Sequence, residues 1–196
     1  MSQIWITSDW HFCHSQPFLY EPRGFKNQYE MNAAIIERHN AIVQADDEVY
    51  ALGDCILNDN EEGIKCIKQL KGRIHIIRGN HCTDTRIALY KECWNVVEVC
   101  DAKWLKIGKQ NFFLSHYPCL TDNHDDEKPL NRKIISLCGH THCKNKYKDM
   151  NNGLIYHVEL DAHNCRPISV EEIMEDIKTF ISLDKDSQKR LCENDI

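Results

Sequence analysis

Short apolar runs alternate, in the first half of the chain, with stretches whose apolar positions recur every three or four residues. Ile4–Thr7 and residues 48–52 and 73–78 have the length and Ile/Val/Tyr content of buried strands. Between them, residues 31–43 place Ala34, Ile35, His39 and Ile42 on one helical face. Residues 61–70 space Ile64, Ile67 and Leu70 in the same way and stop at Lys71-Gly72, and Asp84–Lys91 reads as a further helix. The texture then changes. Val96–Cys100 and residues 104–107 and 112–115 are short strand-like runs, with Gly108-Lys109-Gln110-Asn111 as a hairpin turn. Residues 121–133 are polar and read as a loop. Ile134–Cys138 and residues 154–160 read as strands, and Pro167 leads into a helix over residues 170–183. Strand–helix repeats followed by mostly strands predict an α/β half joined to a more antiparallel half around one core. We expect one domain over residues 1–183 and a polar, fraying tail over 184–196.

Composition adds bounds to this picture. At 196 residues, with 42% hydrophobic and 28% charged content, the chain has ample material for one core. A formal net charge of -6 offers no global attraction for extended nucleic acid or an anionic membrane, though bound cations reverse such a charge locally. Neither a secretory leader nor a run of roughly 18 apolar residues is apparent. The 11 cysteines are scattered without Cys-x-x-Cys pairs, which reads as buried thiols in a reducing cytoplasm and not as a disulfide framework.

The chemistry gathers at strand ends. The first strand runs into Asp9-x-His11, the second into Gly53-Asp54, and the third into Gly79-Asn80-His81. The last run before the long polar stretch ends at Ser115-His116, and Ile134–Cys138 ends at Gly139-His140-x-His142. Side chains beyond the carboxyl ends of sheet strands commonly share one crevice. Two histidines at i and i+2 project to the same side of extended backbone, so His140 and His142 alone suggest a shared ion. The full set of carboxylates, one amide and imidazoles exceeds what one ion uses and suits two ions ~3.5–4 Å apart. Mixed hard oxygens and imidazoles admit Mn²⁺, Fe, Zn²⁺ or Ni²⁺ without choosing among them, and Mn²⁺ is the ion we expect. Taken alone, His116 would read as a core or turn histidine, and Asp9 and Asp54 as loop caps.

These five motifs, in this order, resemble the calcineurin-like metallophosphoesterase superfamily. The resemblance implies a four-layer α/β/β/α sandwich of two mixed sheets flanked by helices. It also implies that Asp9, His11 and His142 bind one metal, that Asn80, His116 and His140 bind the other, and that Asp54 bridges them. His81 is then no ligand but the group facing the leaving oxygen, as general acid or charge stabiliser. The implied activity is phosphate-ester hydrolysis by a metal-bridging hydroxide. A diesterase acting on small nucleotide-type substrates leads, a monoesterase is the nearest alternative, and a metal-free protein-interaction scaffold is a third reading.

Departures narrow the branch. Asp54 is followed by Cys55-Ile56-Leu57-Asn58 and lacks the Asp-Arg pair of protein Ser/Thr phosphatases. His81 is followed by Cys82 where an acid is common, and a packed neutral thiol is expected there. Asp9-Trp-His11-Phe-Cys-His14, then Glu21-Pro-Arg23-Gly-Phe25, is similar to small single-domain bacterial and phage-type phosphoesterases. Arg23 and His14 are therefore candidates for contacting a substrate phosphate, with a solvated arginine and a loop-tethering histidine as the alternative. His39, His75, His124 and His157 fit no motif and are assigned core or surface roles, and His163 a place in the scaffold or rim.

Overall fold

A computed structural model describes residues 2–121 and 128–193. The first sheet has the order β4-β3-β2-β1-β9, and the second β5-β6-β7-β8. In the first, β1 (Ile4–Thr7), β2 (Glu48–Ala51), β3 (Arg73–Ile77) and β4 (Val96–Cys100) run parallel, and β9 (Ile168–Ser169) closes the edge antiparallel to β1. In the second, β5 (Lys103–Ile107) and β6 (Gln110–Leu114) form a hairpin, and β7 (Ile134–Cys138) and β8 (Ile155–His157) add in parallel. Both sheets are thus mixed, with helices flanking them.

Residue alternation explains why the central strands look apolar throughout. Trp5, Val49 and Ile76 project to one face of the first sheet, among residues of α2 (Gln28–Ile42), α3 (Asn60–Lys68) and α4 (Asp84–Lys91). Ile6, Tyr50 and Ile77 project to the other face and meet Phe112, Leu114, Ile135 and Leu137 of the second sheet. A strand buried on both faces cannot show a period of two. Helix α5 (Val170–Ser182) adds Ile173, Ile177 and Phe180 to that second cluster.

Several expectations shift at element ends. Helix α2 begins at Gln28 because the Asn27 side chain accepts from Glu30 N–H, and α3 begins at Asn60 because Asp59 caps Glu62 N–H. The strand expected over residues 154–160 is only Ile155–His157, followed by a 3₁₀ turn at Leu160–Ala162. The short helix α1 (Pro17–Tyr20) and the strand β9 had no sequence signal above loop. In the polar stretch 121–133, residues 122–127, with His124, lie outside the described residues, and Leu130–Arg132 is a 3₁₀ turn. The segment expected to fray after residue 183 instead forms α6 (Lys185–Glu193). Leu191 and Cys192 pack on the core, and the buried Gln188 donates to the carbonyls of Phe180 and Leu183. Among the described residues no helix is long and apolar enough to cross a membrane, and every cysteine is free, most of them buried.

Candidate metal centre

Five loops at strand C-termini converge on one crevice, and the backbone there is bent to aim side chains inward. Asp9, His11, Asp54, His140 and His142 all adopt left-handed φ, between 47° and 76°. Such conformations cost a non-glycine residue free energy and cluster where a site needs a particular aim. Glycines supply the room. A Cβ on Gly139 would collide with Ser8 and the Asp9 carboxylate, and one on Gly79 would strike Asp54. The motif glycines therefore do more than end strands. They let the carboxylates lie against neighbouring backbone.

Two groups of donor atoms form side by side: Asp9, His11 and His142, and Asp9, Asp54 and His116. In the first, the Nε2 atoms of His11 and His142 face each other at 3.1 Å, with Asp9 Oδ1 at 3.6 and 3.8 Å. In the second, His116 Nε2 lies 2.8 Å from Asn80 Oδ1 and 3.4 Å from Asp54 Oδ2. Asp54 Oδ2 is also 3.9 Å from His11 Nε2, so this one oxygen stands between the two imidazoles. His140 joins neither group. Its ring sits 5.0 Å from that of His116 and 4.8 Å from that of Tyr117, while its backbone N–H donates to Asp9 Oδ2. The expectation that His140 and His142 point to one side fails because both take left-handed φ in place of extended backbone. His142 turns to His11, and His140 to His116.

The donor set fits divalent ions. Asp9 is completely buried, and its Oδ1 has no hydrogen-bond partner among the described residues, which is costly unless a cation takes it. The outward ring nitrogens of His116 and His142 are already committed, whereas His11 Nδ1 is buried without a partner among the described residues. His116 Nδ1–H donates to Leu52 O at 2.7 Å, and His142 Nδ1–H to Asp161 Oδ2 at 3.0 Å, which leaves each Nε2 free as a ligand. Burial pushes the Asp9 carboxyl up, but His11, His142 and His116 around it prevail and hold it down to about 2. The Asp9 carboxyl is therefore ionised and available to a cation at neutral pH.

His81 stands at the mouth. Its side chain is 44% exposed, its Nε2 is 4.0 Å from Asp54 Oδ2, and its backbone N–H donates to Asp54 Oδ1. Arg86 of α4 grips the His81 carbonyl at 2.7 Å and is itself anchored on Asn60. Cys82 is a buried thiol whose pKa burial raises, as expected of a packed neutral group. His14 is buried against His11, with ring centroids 5.6 Å apart, and the exposed Phe18 lies against its other side.

Arg23 corrects an expectation. Its side chain is only 1% exposed and forks onto Asp161, Nε to Oδ1 at 2.9 Å and Nη2 to Oδ2 at 2.7 Å. Nη2 also donates to the Asp9 carbonyl at 2.9 Å. Its donors are spent inside the protein, so Arg23 holds the first-motif loop and Asp161 and does not present its fork to the crevice. Asp161 is the residue that motif reading missed. The available signal was its position just after β8, a sixth strand end carrying an acid.

Other histidines fall into scaffold roles. His39 and His163 are buried and donate to the carbonyls of Lys71 and His157. His75 lies between Glu48 and Glu98. His157 is buried between Asp149 and Glu159, and Glu159 in turn accepts from Thr141 of the last motif.

Comparison with known proteins agrees with this geometry. A family model for the calcineurin-like phosphoesterase superfamily domain matches residues 2–158. A protein of Methanocaldococcus jannaschii, MJ1445, is 31% identical over 179 residues, covering 89% of this chain and 90% of its own length. The gene 66 protein of Mycobacterium phage D29 is 28% identical over 201 residues, covering 91% and 98%. The crystal structure of AQ665 from Aquifex aeolicus, a protein of unknown function, shares the fold with a TM-score of 0.68 at 23% identity, covering 89% of this chain and 99% of that one. The strand-end motifs, the two mixed sheets and the family match lead to one conclusion: this chain belongs to the calcineurin-like phosphoesterase superfamily.

Proposed function

We propose that this chain is a two-metal phosphoesterase that hydrolyses small phosphodiesters of nucleotide type. The observation that carries the reading is Asp54 Oδ2, standing 3.9 Å from His11 Nε2 and 3.4 Å from His116 Nε2 with a donor group on either side. Asp9, His11 and His142 would hold one ion, Asn80, His116 and His140 the other, and Asp54 would be common to both. Divalent ions held there would neutralise phosphoryl oxygens and bring the pKa of water from ~15.7 toward neutrality.

The chain's own residues do the rest. Asp9 and Asp54, kept ionised in the crevice, set the charge of the site, and the committed Nδ1–H groups of His116 and His142 keep each Nε2 turned inward. His81, exposed and with Nε2 aimed at the centre, gives its proton to the departing alkoxide oxygen. Two exposed rings flank the cluster, Phe18 beyond His11 and His14 and Tyr117 against His116 and His140. Aromatic faces of this kind support planar bases on the ester groups.

The test uses purified protein with Mn²⁺, Fe²⁺, Zn²⁺ or Ni²⁺ on bis-p-nitrophenyl phosphate and p-nitrophenyl phosphate. Turnover of the diester above the monoester, abolished by Asp54→Ala, is expected. Preference for the monoester would make it a phosphomonoesterase. Hydrolysis of neither ester, with well below one ion per chain, would leave a protein-interaction scaffold of the same fold.

A further inference from the structure

Behind the metal cluster lies a second concavity. The loops after β7 and β8, with Arg38 of α2 and Leu191 of α6, line a half-open cavity of about 800 Å³. That volume lies within the usual range for small-molecule sites. One wall separates it from the metal cluster: the Arg23–Asp161 pair lines the cavity, and the same Asp161 accepts from His142 on the other side.

The lining is strongly one-signed. Arg23, Arg38, Lys144, Lys146 and Arg166 contribute five basic side chains against the single carboxylate of Asp161, in a chain whose formal net charge is -6. Three of the five are already neutralised: Arg23 by Asp161, Lys146 by Asp176 at 2.7 Å, and Arg166 by Glu172 at 2.8 Å. Arg38 and Lys144 have no acidic partner among the described residues. Arg38 spends one nitrogen on Asn164 O at 2.8 Å and lies over the Phe25 ring, and Lys144 is exposed. The partly exposed Ala162 and Leu191 give the same cavity an apolar side. Two uncompensated cations around one concavity repel each other and focus a positive potential into it, and an anion relieves both effects.

We propose that this cavity is a second anion-binding site, which takes the phosphate-bearing end of a nucleotide-type ligand on Arg38 and Lys144 and its less polar body against Ala162 and Leu191. The site is distinct from the metal cluster and does not depend on how that cluster is read.

Calorimetric titration of metal-stripped protein, kept in EDTA at low salt, tests this with ATP, pyrophosphate and adenosine. Stripping the ions stops the metal cluster from capturing phosphate. ATP should bind more tightly than pyrophosphate, and adenosine should not bind over the same range. Lys144→Glu should weaken ATP at least tenfold, with its thermal melt unchanged because Lys144 is exposed, and Lys144→Arg should restore binding. Arg38→Gln should weaken ATP as well, and Asp54→Ala should leave it unchanged. Equal ATP affinity in wild type and Lys144→Glu, or no heat with either anion, overturns the proposal. So does adenosine binding as tightly as ATP, or pyrophosphate matching ATP. ATP binding that appears only when metal is restored would assign it to the metal cluster and overturn the proposal too.

Discussion

At the residue scale, Asp161 does two things with one carboxylate. It receives the Arg23 fork and, through Oδ2, the Nδ1–H of His142. Burial pushes its pKa up, but His142 and Arg23 prevail and hold the carboxyl well below the ordinary range. Asp161→Asn keeps the shape and loses the charge. We predict that it weakens Mn²⁺ binding by roughly 10–100-fold, the usual cost of losing a partner behind a metal-bound imidazole. Titration of the apo protein would measure this, and unchanged affinity would show that Asp161 does not tune His142. His81→Ala makes the complementary prediction: metal content stays at the wild-type level while kcat falls by about 10²–10⁴, the range for loss of a general acid. A parallel loss of bound metal would mean that His81 is a ligand. Gly139→Ala should fail differently, since its methyl group meets Ser8 and Asp9 in the core of the site and displaces the carboxylate itself. Loss of metal and of folding stability together is the expected result, read by elemental analysis and thermal melting.

At the element scale, helix bodies were legible and caps less so, since α2 begins at Gln28, ahead of its apolar period. Helix α5 carries a complete capping box, in which Ser169 Oγ accepts from Glu172 N–H and Glu172 accepts from Ser169 N–H. We predict that Ser169→Ala lowers stability by about 1 kcal/mol in chemical denaturation, and a change within error would show the cap to be redundant. Helix α6 forms where the polar sequence predicts fraying. It is strongly polar, and its order comes from Gln188 and Asn145 bridging it to neighbouring backbone, contacts with no trace in its own periodicity. The strand β8 was overextended for a related reason. Residues 158–160 continue its apolar texture, but Val158 N–H and Leu160 N–H donate to Cys138 O and Ser8 O, and the chain then turns into a 3₁₀ segment that sets Asp161 behind His142.

At the scale of the whole molecule, two buried neutral histidines draw stability down with pH before the carboxylates titrate. Burial holds the His39 and His163 pKa values down to about 4, against an ordinary value near 6.5, and each ring is neutral in the folded state. Between those two values the unfolded chain binds more protons than the folded one, so stability falls as pH drops through that window. Each ring contributes about 1.4 kcal/mol per pH unit there. We predict a loss of about 2 kcal/mol per histidine from pH 6.5 to pH 5, seen in denaturant midpoints. His39→Gln should flatten part of that slope, and an unchanged slope would mean that His39 does not carry it.

The chain's local patterning determined the main strands and helices, and the residue types at five strand ends determined the candidate donor set, because backbone periodicity and side-chain chemistry are written locally. Only the tertiary structure decided how those residues divide. It turned His140 and His142 apart through left-handed backbone, set Arg23 on Asp161, 138 positions away, and left Arg38 and Lys144 around one cavity with no acidic partner among the described residues. Partners so distant in sequence meet through the packing of two sheets, and no local period records which of them will touch.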